Sequence, residues 1–203
     1  MASNTSAPFG FAQRAGTGSS PTFELSEALV AYATVNIFQN DPVFRLSDGT
    51  VAGITTGPGP GTQAIAGIFD GCHYLSVANK RTIWSNYWPG SDVASGNNVT
   101  AYIVNDPSAQ FVAQVGGSTS VGLVQANIGS NVQFAYGTGT TANGISGAYI
   151  DISVTPAVTS TFPFRVNGLL TSPPGAPGTA AGQYNLAIVA FNNVETKALT
   201  APF

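Results

Sequence analysis

Apolar and polar residues alternate with a period of two along much of this 203-residue chain. From Leu29 onward, Leu29, Ala31, Ala33, Val35 and Ile37 line one aliphatic face, and Val30, Tyr32, Thr34, Asn36 and Phe38 a mixed one. A repeat of two puts successive side chains on opposite faces of a strand, whereas a helix repeats near 3.6. The alternation returns in Val99, Ala101 and Ile103, and in Phe111, Val112 and Val115 between Gln110 and Gln114. It returns again in Ile150, Ile152 and Val154 against Tyr149, Asp151 and Ser153, and in Phe162, Phe164 and Val166 with Arg165 and Asn167 outward. Between these runs lie Ser47-Asp48-Gly49-Thr50, Asn79-Lys80, Ser95-Gly96-Asn97-Asn98, Gly116-Gly117 and Ala142-Asn143-Gly144. Gly and Asn tolerate positive φ, so these are turns. Short strands spaced by turns predict an all-β fold, a sandwich or small barrel of short antiparallel strands. A short helix is allowed near Ser120–Asn127, and at Val30-Ala31-Tyr32 only if Ser26-Glu27 acts as a cap.

Two segments break the rhythm. Residues 57–61 (Gly-Pro-Gly-Pro-Gly) and 172–178 (Pro-Pro-Gly-Ala-Pro-Gly after Ser172) cannot join a ladder, because Pro lacks the donor and Gly loses much entropy on ordering. Both read as loops. Residues 1–22, rich in Ser, Gly, Thr and Ala, read as an extended N-terminal arm with Phe9 and Phe11 as apolar anchors, and 23–203 as a single β domain. The longest apolar runs, Leu29–Phe38 and Tyr184–Phe191, fall short of the roughly 20 residues that a helix needs to span a bilayer. The first residues hold no basic side chain before Arg14 and no apolar core of a signal peptide, so synthesis in a cytoplasm without a membrane anchor is expected.

Charge narrows the chemistry. Asp, Glu, Lys and Arg make up 7% of the chain, against about 25% in ordinary soluble domains. Six basic residues, with Lys80-Arg81 the only adjacent pair, cannot neutralise a phosphate backbone, so nucleic-acid binding is not expected. The single Cys72 and single His73 cannot assemble the usual zinc set. No metal, cofactor or redox role is expected. A net charge of −3 gives little self-repulsion and suits a chain that sits in an assembly.

Catalytic constellations are equally thin. Asp70, His73 and Ser76 are close in sequence, but three residues of one strand rarely converge into a triad. Asn-Asp-Pro occurs at Asn40-Asp41-Pro42 and at Asn105-Asp106-Pro107, each time after an apolar stretch, and reads as a strand-ending turn rather than a carboxylate pair. Gly137-Thr138-Gly139-Thr140-Thr141 lacks the Lys of a phosphate-binding loop. No catalytic residue is assigned, and the chain is read as a non-enzyme.

Information concentrates between Ile68 and Phe111. Trp84, Tyr87 and Trp88 are large flat groups that can pack a core or rim, anchor a partner, or stack on a sugar. The order Gly67-x-Phe69-x-Gly71-Cys72-x-Tyr74, then Trp88-Pro89-Gly90, then Ala101-Tyr102-x-Val104-x-Asp106-Pro107 and Phe111 resembles a family of tailed-bacteriophage capsid decoration, or cement, proteins. Ala7-Pro8-Phe9-Gly10-Phe11, Asp41-Pro42-Val43 with Ser47-Asp48-Gly49-Thr50-Val51, and Gly144-Ile145-Ser146-Gly147 before Tyr149-Ile150-Asp151 agree with it. The resemblance spans most of residues 7–170, and the chain departs from it at the Pro-rich loop after Ser172.

The resemblance implies a place in a virion, on the outer capsid surface, and no catalytic residues. The partners expected are the major capsid protein and further copies of the chain, as a homo-oligomer such as a trimer. Phe9, Gly10, Phe11 and Arg14 are expected to reach a neighbour, so that removing residues 1–20 would leave a folded body unable to bind heads. The alternatives are a glycan-binding virion module using Trp84, Tyr87 and Trp88, or a tail component.

Overall fold

The computed structural model describes residues 4–16, 25–31, 35–53, 64–94, 97–118, 120–170 and 180–197. The Gly/Pro-rich segments 57–61 and 172–178 lie outside them. The described chain is all-β, with a single 3-10 turn at Gln125–Asn127 where a short helix was allowed. The strands in chain order are β1 (Ala12–Ala15), β2 (Ser26–Leu29), β3 (Ile37–Phe38), β4 (Pro42–Arg45), β5 (Val51–Ala52), β6 (Gly67–Ser76) and β7 (Arg81–Ser85). They continue with β8 (Tyr87–Trp88), β9 (Thr100–Val104), β10 (Gln110–Gly116), β11 (Asn131–Ala135), β12 (Tyr149–Asp151), β13 (Phe164–Leu169) and β14 (Leu186–Phe191).

The C-terminal strands close a small barrel. The ladder runs β10-β12-β11-β13-β14 and returns to β10, because Gln110–Gln114 pairs with Leu186–Ala190 on one edge while Val115 and Gly116 pair with Ile150 and Asp151 on the other. All pairs are antiparallel except β10 with β12. Closure removes the open edges that would otherwise template aggregation. Phe111, Val132, Phe134, Ile150, Phe164, Val166, Val189 and Phe191 fill the interior, and the outward residues Arg165 and Asn167 are exposed as the alternation requires.

The second sheet runs β2-β9-β6-β4-β5, with β7 on the far part of β6. A bridge from Val30 to Val51 draws its two ends together, around a second core containing Ile37, Val43, Phe69, Tyr74, Trp88, Val99 and Ile103. The Leu29–Phe38 run is therefore not one strand. It enters as β2, bridges at Val30 and pairs again only at Ile37–Phe38, with residues 32–34 outside the described set.

The two cores share a wall. Val43, Phe69 and Ile103 face the second core, while their neighbours Phe44, Ile68 and Val104 face the barrel. Strands buried on both faces carry continuous apolar runs instead of alternating ones, which is why Ile65-Ala66-Gly67-Ile68-Phe69 shows no period of two.

Residues 4–16 are fastened to the chain's own body. Gln114, buried on β10, accepts the amide of Ala7 and donates to the carbonyl of Thr5; Asn4 donates to the carbonyls of Ala180 and Gln183. Gly10 donates to the carbonyl of Ala148, and β1 pairs with β10, so β1 is a strand of the body and not part of a free arm. Phe11 is fully buried inside the barrel, stacked on Phe164 at 4.2 Å and edge-on to Phe134 at 5.9 Å. This corrects the expectation that Phe11 anchors a neighbour, since no face of its ring is left to offer. Gly10 makes the entry possible: its φ is +78°, and a Cβ there would lie 2.5 Å from the carbonyl oxygen of Asn40. Phe9 is half-buried, its carbonyl accepting from the Asn40 side chain, and of the four residues expected to reach outward only Arg14 is exposed.

Candidate functional site

The sequence places Trp84, Tyr87 and Trp88 together, but the strands send them three ways. Trp88, on β8, is fully buried and edge-on to Tyr74 at 4.9 Å. Tyr87 is half-buried and stacked on Phe38 at 5.7 Å across the β3–β8 pair. Trp84, on the edge strand β7, is 71% exposed. Trp88 is thus a core residue and not a contact anchor, because its partner strand β3 and Tyr74 enclose it. Trp88→Ala is expected to cost about 3–5 kcal/mol in a urea unfolding titration, and Trp84→Ala no more than about 0.5 kcal/mol.

Trp84 has other company. The face of β6 and β9 that carries Ile68 and Val104 into the barrel continues along both strands to His73 and Tyr102, which are half-buried. Tyr102 lies in the same phase of β9 as Val104, and His73 sits opposite Trp84 in the β6–β7 ladder. The three rings cluster. Trp84 lies 4.6 Å from His73 and 5.6 Å from Tyr102, with only 12° between the planes of Trp84 and Tyr102. The phenol of Tyr102 meets Nδ1 of His73 at 2.9 Å, which locks both rings. Lost solvation, and then the charge of Glu27, holds that phenol above its ordinary pKa, so it stays neutral.

A groove of about 420 Å³ runs alongside this wall, bounded by Trp84, Tyr102, Leu25, Asp70 and Asn86. Asp70 is held by Gln39, whose Nε2 donates to Oδ1 at 3.0 Å. Asn86 is anchored through its Nδ2, which donates to the carbonyl of Asn143 at 2.6 Å. Gly71 forms part of the floor: a Cβ there would lie 2.9 Å from the carbonyl of Ser85. The thiol of Cys72 beneath is pushed up to about 12 by burial, so it remains protonated and unreactive at neutral pH.

The triad geometry is absent from Asp70, His73 and Ser76. Asp70 is bound to Gln39, His73 to Tyr102, and Ser76 donates to Asp92 at 2.7 Å. Asp41 and Asp106 also serve separate turns. Asp106 accepts the amide of Ser108, whereas Asp41 is buried at a junction between the halves. Its Oδ2 accepts the amide of Phe38 at 2.8 Å, and its Oδ1 accepts the hydroxyl of Ser146 at 2.5 Å. Among the described residues no group of three or more His, Cys, Asp or Glu could hold a metal ion.

Sequence reasoning missed Tyr102 and Asn86 as members of the site, and weighed His73 and Asp70 only as parts of a zinc set or a triad. The signal was present in the phase of β9, where Tyr102 falls between the inward residues Ala101 and Ile103. Compared with known proteins, the chain matches no family model, no curated protein and no solved structure.

Proposed function

We propose that the chain is a structural, non-enzymatic virion protein that binds the outside of a bacteriophage capsid and braces contacts between capsomers. The observation that carries this reading is a charge-poor surface on the barrel half. Between Asp106 and Arg165 the sequence holds one charged residue, Asp151, and the loops of that stretch expose Val121, Val124 and Val158, the last at 93%. Such a surface is desolvated at little cost over a broad contact. The order of motifs from Ala7 to Asp151 supports the same reading; closed symmetry is the usual arrangement of homo-oligomers, and a trimer is the form proposed for a place where three capsomers meet. Bracing is multivalent: each bound copy stabilises the shell to the extent that it favours assembled over free subunits.

The test is stoichiometry. Purified particles are expected to carry the chain in hundreds of copies relative to the shell protein, measured by quantitative gel. A tail component would appear in far fewer copies, and absence from heads would end the reading. Val121→Asp together with Val158→Asp is expected to leave unfolding stability within about 0.5 kcal/mol and to strip the chain from heads. Full occupancy by that variant would exclude these loops as the contact.

A further inference from the structure

We propose that the groove beside Trp84 is a binding site for an uncharged saccharide, held by Trp84 and Tyr102 on one side and by Asp70 on the other. The site is separate from the proposed shell contact, whose loops belong to the barrel half.

The geometry of the rings decides the ligand class. Trp84 stacks on His73 at 4.6 Å and on Tyr102 at 5.6 Å, 12° from parallel, so the three rings form one stack that leaves the outer face of the Trp84 indole to solvent. They do not form a box closing on a point. A box of rings suits a quaternary ammonium group, whereas a single open ring face suits a flat apolar face such as the C–H face of a pyranose ring. Trp84 has its indole held from beneath by His73 while 71% of the residue stays exposed. Such stacking leaves the working face of the indole uncovered. Its neighbour Tyr102 cannot swing away, because its phenol is tied to His73.

The polar side of the groove fits hydroxyl groups. Asp70 pairs with no cation among the described residues, where the sole ion pair is Arg45–Glu195. One of its oxygens is fixed by Gln39, so the carboxylate is aimed and its second oxygen can accept from a sugar hydroxyl. Asn86, anchored to Asn143, adds a rigid amide at the rim. None of the six Lys and Arg residues lines the groove, so nothing there would select an acidic sugar. The volume of about 420 Å³ lies within the usual range for small-ligand sites. The rings, the aimed carboxylate and the amide all stand on strands or on the turn leaving β7, so the site is in place before a ligand arrives.

The two tryptophans make the test specific, because Trp88 is sealed in the core and only Trp84 meets solvent. Acrylamide quenching of the full chain is measured while glucose-, galactose-, mannose- and N-acetylglucosamine-terminated oligosaccharides are added, each up to tens of millimolar. At least one is expected to shield Trp84 from the quencher. Asp70→Asn keeps the acceptor for Gln39 and is expected to weaken that affinity by about tenfold or more, since it removes a charged hydrogen bond. Trp84→Ala, checked for an unchanged unfolding midpoint, is expected to abolish saturation transfer to the same sugar in ligand-observed NMR. No shielding by any of these sugars would overturn the proposal. So would shielding by tetramethylammonium or by a lysine-rich peptide alone, or sugar binding that survives in Trp84→Ala.

Discussion

Phe11→Ala is expected to lower the unfolding free energy by about 3–5 kcal/mol, the range seen when a fully buried phenylalanine is truncated. Folded domains hold only about 5–15 kcal/mol in total, so this one change removes a large share. The reason is the ring's position. Phe11 stacks on Phe164 and meets Phe134 edge-on, and both lie in the interior that the five-stranded ring encloses. Without it the barrel keeps its ladder but holds a cavity that its neighbours cannot close, because they are fixed by pairing on both sides. Urea unfolding followed by the emission of buried Trp88 measures the loss, and Phe11→Leu is expected to recover part of it. An outward-reaching anchor would behave in the opposite way, with stability untouched by Phe11→Ala. Deleting residues 1–11 removes the same ring together with the Gln114, Ala148 and Asn40 bonds, and is expected to be at least as damaging. Removal of the N-terminus is therefore a stability experiment before it is a binding experiment.

The second large effect is a pH dependence centred on Asp41. Burial pushes its carboxyl up to about 6 from the ordinary 3.8, while hydrogen bonds from the Ser146 hydroxyl and the Phe38 amide pull it down without cancelling the burial. The folded chain thus keeps this proton between about pH 4 and 6, where the unfolded chain has released it. The sign follows from linkage. The stabilising contribution of protonated Asp41 is complete below about 3.8 and is lost as pH rises through about 6. A shift of this size corresponds to about 3 kcal/mol. Asp48 and Asp92 are shifted the other way, chiefly by hydroxyl hydrogen bonds from Thr50 and Ser76, so their contributions are lost only as pH falls below the ordinary carboxylate range.

Asp41→Asn isolates the effect, because asparagine has the shape of the protonated acid. Its carbonyl keeps the Phe38 amide, and its NH2 donates to the Ser146 oxygen, which already accepts the amide of Ala148. Urea titrations from pH 4 to 7 are expected to show wild type losing about 3 kcal/mol more than Asp41→Asn across the interval. Parallel curves would refute the assignment. Asp41→Ala, which leaves a buried amide and a buried hydroxyl without their acceptor, is expected to be less stable than either throughout.

Much of the fold was legible because its strands are half-buried. Phe162, Phe164 and Val166 point inward with Arg165 and Asn167 outward, as the period of two requires. The shared wall was not legible, since a strand covered on both faces has no polar phase. Nor was the barrel, whose closure joins Gln110–Gln114 to Leu186–Ala190, a pairing that no local pattern encodes. The N-terminal reading went astray for a related reason: Ser, Gly and Ala around two phenylalanines look the same whether the ring plugs its own barrel or another chain. Among the aromatics, proximity in sequence misled. Trp84 and Trp88 sit on different strands with Asn86 as a bend between them, and the ring partners of Trp84 came from β6 and β9.

The seat of Phe11 also sets an order of events during translation. The ring's pocket is lined by Phe134 and Phe164, and the barrel that encloses it is closed only when β14 returns to β10. Phe11 must therefore wait, unsatisfied, until strands far downstream of it have been made. Contacts so distant along the chain slow the final step of folding, and until it occurs the nascent polypeptide carries an uncovered phenylalanine that a chaperone would have reason to hold.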